Sequence, residues 1–310
     1  MTLAQLRYAI NLQKYGSFKK ASEKLSISQP ALSLQIQKLE NELGIGLFDR
    51  SSNPIVPTGD GVTFLAQAAE IIASVDHLQN RTLNLKNELE GTLTLGVIPT
   101  LAPFLVPLFI DQLQEAFPKF KLDIHEMITE DVITEVRGGF LDAGLISTPV
   151  EVYGIRSIPI FYERFFFYTS TQAKGKNIGL ENIDYDSLWL LNEGNCFRDQ
   201  VNNFCDLTKI QQGRSFNYRS NSIDALIRIV DTKGGMTILP ELTTLSLDEN
   251  QEENISPILK KAREIGVITQ KTSLKEHFVQ KMIEYIKKNI PGNMISPEGI
   301  EIVDPGIRMK

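Results

Sequence analysis

Two side chains of this 310-residue sequence could do thiol chemistry. Cys196 and Cys205 both stand in one short polar stretch, Glu193-Gly-Asn-Cys196-Phe-Arg198-Asp199-Gln200-Val-Asn-Asn-Phe-Cys205. A free cysteine usually packs as a small hydrophobe, and only its reactivity makes it more than that. Glu193-Gly-Asn reads as a turn and Arg198-Asp199-Gln200 as the opening of a helix. A helix N-terminus and the Arg198 guanidinium would both draw the Cys196 thiol toward thiolate. Asp199 opposes them, because a nearby carboxylate disfavours a second negative charge. If the stretch is helical, nine steps separate the two Cα atoms by roughly 13 Å. A disulfide tolerates at most about 7 Å, so a bond between them requires the segment to unwind. A switch needs that property and a staple does not.

The rest of the chain must position these thiols and use them. Its composition, 42% hydrophobic and 23% charged, is that of a globular protein large enough for two or three domains. No run approaches the roughly 18 consecutive apolar residues of a membrane helix, and Met-Thr-Leu-Ala-Gln-Leu-Arg lacks the order of a signal peptide. These features are those expected of a cytoplasmic protein, where a disulfide would be transient and regulatory. The net charge of −6 speaks against nucleic acid, but its distribution does not. The first 50 residues hold seven basic side chains against four acidic ones, so a basic head precedes an acidic body.

That head reads helix, helix, turn, helix. Leu3, Leu6, Ala9, Ile10 and Leu12 recur at helical spacing, Ser17 can cap a second helix, and Ser28 a third. Pro30 falls in the first turn of the third helix, where its missing N–H costs little, and the pattern runs to Gly44. Ser28, Gln29, Ser33, Gln35 and Lys38 supply donors and acceptors of the kind that base edges and phosphates require. From Thr58 to about Lys86 a long helix carries Phe64, Leu65, Ala68, Ile71, Ile72, Val75 and Leu78 along one side, a stripe that calls for a partner helix. Beyond Gly91, strand patterns at 92–98, 121–124, 141–146, 165–168, 188–191 and 236–240 alternate with helical ones, as in an α/β domain with mostly parallel sheet. The segment from Pro291 onward shows no period and reads as irregular. His77, His125 and His277 lie too far apart for a local metal motif, and Gly234-Gly235 lacks the setting of a phosphate loop. No cofactor is expected.

The run from Ala21 through Ser28-Gln29-Pro30-Ala31-Leu32-Ser33 to Leu39-Glu40, with Leu43-Gly44 and Leu47-Phe48-Asp49-Arg50 after it, resembles the winged helix-turn-helix of LysR-type transcriptional regulators. The resemblance implies that Gln29, Pro30 and Ser33 open the recognition helix, and that Arg50 and Ser51 to Pro54 form a wing over the DNA backbone. It implies three parts: a winged helix-turn-helix at 1–58, a linker and dimerisation helix at 59–88, and a regulatory domain at 89–310. The last would comprise two Rossmann-like, periplasmic-binding-protein-like subdomains, 89–161 with 267–310 and 162–266, with an effector site between them.

Within that family the cysteine stretch is similar to that of the hydrogen-peroxide sensors, as are Ile98-Pro99-Thr100 and His125-Glu126 followed by Thr129. This implies that Cys196 is the peroxidatic and Cys205 the resolving thiol, with Thr100, His125, Thr129, Arg198 and Asp199 around the peroxide. It also implies promoter DNA and RNA polymerase as partners, and homodimers that pair into tetramers. Two positions depart from the pattern. Asn195 stands where relatives place a histidine, and Gln270 where an arginine is expected, so thiolate support would fall to Arg198 and the helix terminus. Two other readings stay open: a regulator that binds a small anionic metabolite with inert cysteines, and a thiol peroxidase, which the DNA-binding head opposes.

Overall fold

The computed structural model describes residues 1–84, 90–171, 179–209, 218, 220–271, 273, 275–296 and 298–309. The chain divides into two compact units, one made of Met1–Glu88 with two short loop pieces and the other of the remainder.

The first unit is a winged helix-turn-helix. Helices α1 (Leu3–Tyr15), α2 (Phe18–Lys24) and α3 (Gln29–Leu43) are followed by the hairpin strands β1 (Phe48–Asp49) and β2 (Val56–Pro57), then by α4 (Gly59–Asn84). The caps expected from the sequence form. Ser17 and Ser28 accept from the N–H groups of Lys20 and Ala31, and Gly44 closes α3 in the left-handed conformation. Gly16 ends α1 at φ 56°, where a Cβ would stand 2.8 Å from Pro54, so only glycine lets the wing approach this turn. Ala9, Leu12, Ala21, Leu32, Ile36, Leu39, Leu47, Phe48 and Leu65 form the core.

Helix α4 corrects one expectation. Its apolar stripe does not wait whole for a partner, because Ala68 and Ile72 are buried against Leu6 with Ile10 and Phe64 packed beside them. Ile71, one position round the helix, is 43% exposed, and Val75 is partly buried. The two faces differ because positions 64, 68 and 72 share one line at four-residue spacing and 71 and 75 another. The side chain of Leu78 and residues 85 and 86, which the sequence pattern included, lie outside the described residues.

The second unit runs β3 (Gly91–Val97), α5 (Ala102–Ala116), β4 (Phe120–Glu126), α6 (Thr129–Arg137), β5 (Ala143–Thr148), β6 (Glu151–Val152) and β7 (Ile155–Thr169). It continues through β8 (Leu188–Trp189), α7 (Cys196–Asn202), α8 (Ile223–Lys233), β9 (Met236–Pro240), α9 (Glu241–Thr244) and α10 (Glu249–Glu252). It ends with β10 (Ile255–Gln270), α11 (Glu276–Asn289), β11 (Glu301–Ile302) and β12 (Arg308–Met309). The main sheet has the order β4-β3-β5-β10-β7-β9-β8, with β11 beside β10.

Its flanks are parallel, β4 and β5 beside β3 and β8 beside β9, as helical crossovers require. Its middle is not, which corrects the expectation of a mostly parallel sheet. The chain leaves the β4-β3-β5 flank along β7 and returns along β10, and these two long strands therefore pair antiparallel. The segment after Pro291 is not irregular throughout either. β11 pairs with β10 at Lys261 and Ala262, and β12 with β6. Two-residue strands are too short to show a period.

Candidate redox site and DNA-facing helix

The loop before α7 turns at Gly194, φ 82°, and Asn195 caps the helix by accepting the Phe197 N–H at 3.0 Å. Cys196 is thus the first helical residue. Both cysteines are free and buried. Phe197 and Phe204 pack on Phe165 of β7, with ring centroids 5.4 and 4.9 Å away, and hold the two ends of the segment on the sheet. Two amides tie it to the C-terminal segment. Gln200 donates to the Val303 carbonyl at 2.6 Å and accepts from Ser147 Oγ at 3.2 Å, and Asn203 donates to the Asp304 carbonyl at 2.8 Å. The Cys205 N–H closes on the Val201 carbonyl at 2.8 Å.

Burial pushes the Cys196 thiol above its ordinary pKa, against a hydrogen bond with Thr129, the charge of Arg263 and the Phe197 N–H, while Asp199 pushes it further up. Burial alone carries Cys205 to about 12. Both are therefore thiols at neutral pH, and among the described residues groups that favour the thiolate stand beside Cys196 and not beside Cys205.

The first of those groups is Thr129, and the second is one that the sequence pattern did not reveal. Arg263 of β10 is fully buried with Glu163 of β7, its register partner. Its Nε and Nη2 meet Glu163 Oε1 at 2.8 and 2.6 Å, and its Nη1 donates to Thr100 Oγ1 at 2.9 Å. The other carboxylate oxygen of Glu163 accepts the Leu242 N–H at 3.1 Å. Burial raises the Glu163 pKa and the Arg263 charge opposes it. The guanidinium lies 4.9 Å over the Phe197 ring.

Thr100, Thr129, Arg263 and Cys196 thus form one buried cluster. A thiolate there meets a hydroxyl donor and a cation, the combination that can attack a small neutral electrophile and steady a departing oxyanion. Arg198 lies elsewhere. It donates to the Leu191 carbonyl at 2.9 Å and faces Glu193, and its charge acts on Asp199 rather than on the thiol. Asp199 itself is held above the ordinary carboxylate range by burial. His125 stands exposed on β4 beside Asp123 rather than in the cluster. Gln270 donates to the Arg137 carbonyl at 3.0 Å, so the residue at 270 does not decide whether the cluster has a guanidinium.

A signal for Arg263 did exist. It continues the alternation of Ile265 and Val267, fully buried on β10, which puts it on a buried face. The neighbouring Lys260-Lys261 gives the same stretch the composition of a solvated run.

On α3, Gln29, Pro30 and Lys38 are exposed and Ser33 partly buried, while Ser28 caps the helix. Gln35 instead accepts from Gln5 Nε2 of α1 at 3.3 Å. Arg50 pairs with Glu40 at 2.7 Å and lies over the Phe18 ring, and Glu40 also accepts the N–H groups of Leu47 and Phe48. Gln35 and Arg50 therefore already hold the head together.

A DNA-binding head of this form and a curled α/β domain of this topology define a class of bacterial transcription regulators. Residues 3–62 match the bacterial regulatory helix-turn-helix of the lysR family and residues 86–291 the LysR substrate binding domain, and the chain belongs to the LysR family. Among known members it is similar to a hydrogen peroxide-inducible genes activator of Haemophilus influenzae, 30% identical over 79% of this chain and 82% of that protein. A full-length OxyR variant from Pseudomonas aeruginosa superposes with a TM-score of 0.78 at 27% identity, over 94% of this chain and 99% of that one. A hydrogen peroxide-bound OxyR mutant from Corynebacterium glutamicum gives a TM-score of 0.56 at 25% identity, over 93% and 92% of the two chains.

Proposed function

We propose that this LysR-family regulator senses hydrogen peroxide in the cytoplasm through a reversible Cys196–Cys205 disulfide and changes transcription of oxidative-stress genes in response. The observation that carries the proposal is the buried cluster of Cys196, Thr129, Arg263 and Thr100. The Cys196 thiolate attacks one oxygen of the peroxide, forming an S–O bond as the O–O bond breaks. Hydroxide leaves and takes up the thiol proton as water, and the sulfur, oxidised by two electrons, remains as a sulfenic acid. The Cys205 thiol then displaces the sulfenic oxygen, giving the disulfide and a second water. Helix α7 must unwind for this step, because the N–H groups of Asn203 and Cys205 still bond back to the carbonyls of Asp199 and Val201 along the helical path, on which nine rises span roughly 13 Å, and a disulfide joins Cα atoms within about 7 Å.

The division of labour follows the family plan: 1–58 reads promoter DNA, 59–88 dimerises, and 89–310 senses, with subdomains 89–161 plus 267–310 and 162–266. Dimers pair into tetramers, and rearrangement of α7 alters how the heads engage promoter DNA and RNA polymerase. Gln29, Ser33 and Lys38 contact the DNA. Peptide mass spectrometry of protein treated with stoichiometric hydrogen peroxide tests the chemistry. A Cys196–Cys205 bridge is expected. Two unmodified thiols at a dose that oxidises other proteins would sink the proposal in favour of a metabolite-responsive regulator.

A further inference from the structure

The outer face of α3 carries an apolar side chain that none of the contacts above uses. Leu34 is 51% exposed, whereas Leu32, Ile36 and Leu39 of the same helix are fully buried. It belongs to neither core cluster of the head. Pro30, Leu34 and Lys38 recur at four-residue spacing and form one exposed ridge, with exposed Gln37 and Asn41 beside it. From Gln29 to Leu39 the helix has no carboxylate. The first, Glu40, is engaged by Arg50 and by two backbone N–H groups. The ridge is therefore neutral to positive, apolar at its middle, and flanked by amides and an ammonium.

Such a surface suits a polyanion that offers an apolar group between hydrogen-bonding edges. The major groove of duplex DNA offers one such group, the C5-methyl of thymine. We propose that Leu34 is a specificity-determining residue that packs on thymine methyl groups in the major groove. The inference rests on the reading of α3 as the DNA-contacting helix and adds to it an apolar element beside the polar contacts of Gln29 and Ser33. One methyl buried in this way changes affinity about fourfold.

The test uses the full-length protein. An operator is selected from a random duplex pool, and each of its thymines is replaced in turn by deoxyuridine, which lacks only the methyl group. Wild-type protein is expected to lose about fourfold in affinity at one or two positions of each half-site. Leu34→Ala should be indifferent to the methyl at those positions, with an unchanged melting temperature because the side chain is exposed. Equal deoxyuridine penalties in the two proteins, or no methyl-sensitive thymine at all, would overturn the proposal. So would a change in assembly of Leu34→Ala without DNA, which would give the ridge to a second copy of the chain. A pool that yields no enriched sequence overturns the DNA-contact reading itself, a result distinct from an operator indifferent to its methyls.

Discussion

Replacing Thr129 by valine keeps the shape of a buried side chain and deletes the hydroxyl that bonds Cys196. A hydrogen bond to a charged group contributes about 1.5–3 kcal/mol, and each 1.4 kcal/mol is about tenfold in an equilibrium. Thr129→Val should therefore lower the thiolate fraction, and with it the second-order rate of sulfenic acid formation, by roughly ten- to hundredfold at neutral pH. Stability should change little, because the partner lost is a thiol, a weak donor and acceptor. The rate is best read in a Cys205→Ser background, where oxidation stops at the sulfenic acid and a trapping reagent counts it. The pH profile carries the sharper signature. With the bond gone the curve moves to higher pH, so the gap between the two proteins narrows as both become thiolate. A rate within twofold of the parent, or a gap that stays constant with pH, would show that the Thr129 bond does not activate Cys196.

Arg263→Gln leaves Glu163 buried without its cation and should cost about 3–5 kcal/mol of stability by denaturant unfolding; a loss below about 1 kcal/mol would mean that water reaches the pair. Both cysteines have raised pKa values in the fold, so the native state holds protons that unfolded thiols release near pH 8.5. Stability of the reduced protein should therefore be undiminished by these groups below about pH 8.5 and fall progressively as pH rises toward the Cys205 value of about 12. Cys205→Ala should flatten that fall in thermal melts. Ile71→Asp should dissociate the assembly in light scattering with the head still folded, whereas Ile72→Asp, set against Leu6, should destabilise the head; the reverse pattern would reassign the faces of α4.

The helices of the head were legible because their punctuation is local. Ser17, Ser28, Pro30 and Gly44 act within one turn of where they stand. The thiol pair was legible for the same reason, and Thr100 and Thr129 through the family pattern. What escaped depends on partners far along the chain. Arg263 finds Glu163 one hundred residues earlier, and in isolation its neighbours make it look like surface charge. The antiparallel pairing of β7 with β10 spans a similar distance, and nothing in either strand records its direction. Arg198 illustrates the opposite error. It stands two residues from Cys196 in sequence, yet at i+2 on a helix it points to another side and serves the preceding loop. His125 likewise matched the pattern by type while the exposed side of β4 received it.

The bonds from Gln200 and Asn203 to the carbonyls of residues 303 and 304 also set an order of events during synthesis. The two amides are made about a hundred residues before their acceptors. A seven-residue helix cannot persist by its own hydrogen bonds. The Gln200 side chain, fully buried in the finished protein, would lack an acceptor for its amide in a shorter chain, at a cost of about 1–3 kcal/mol. A nascent chain can therefore complete β7, Phe165 and the whole of β10 without yet holding Cys196 in its final surroundings. Translation must pass residue 304 before these two bonds can form, so any shorter chain carries both cysteines without the ties that fasten their helix.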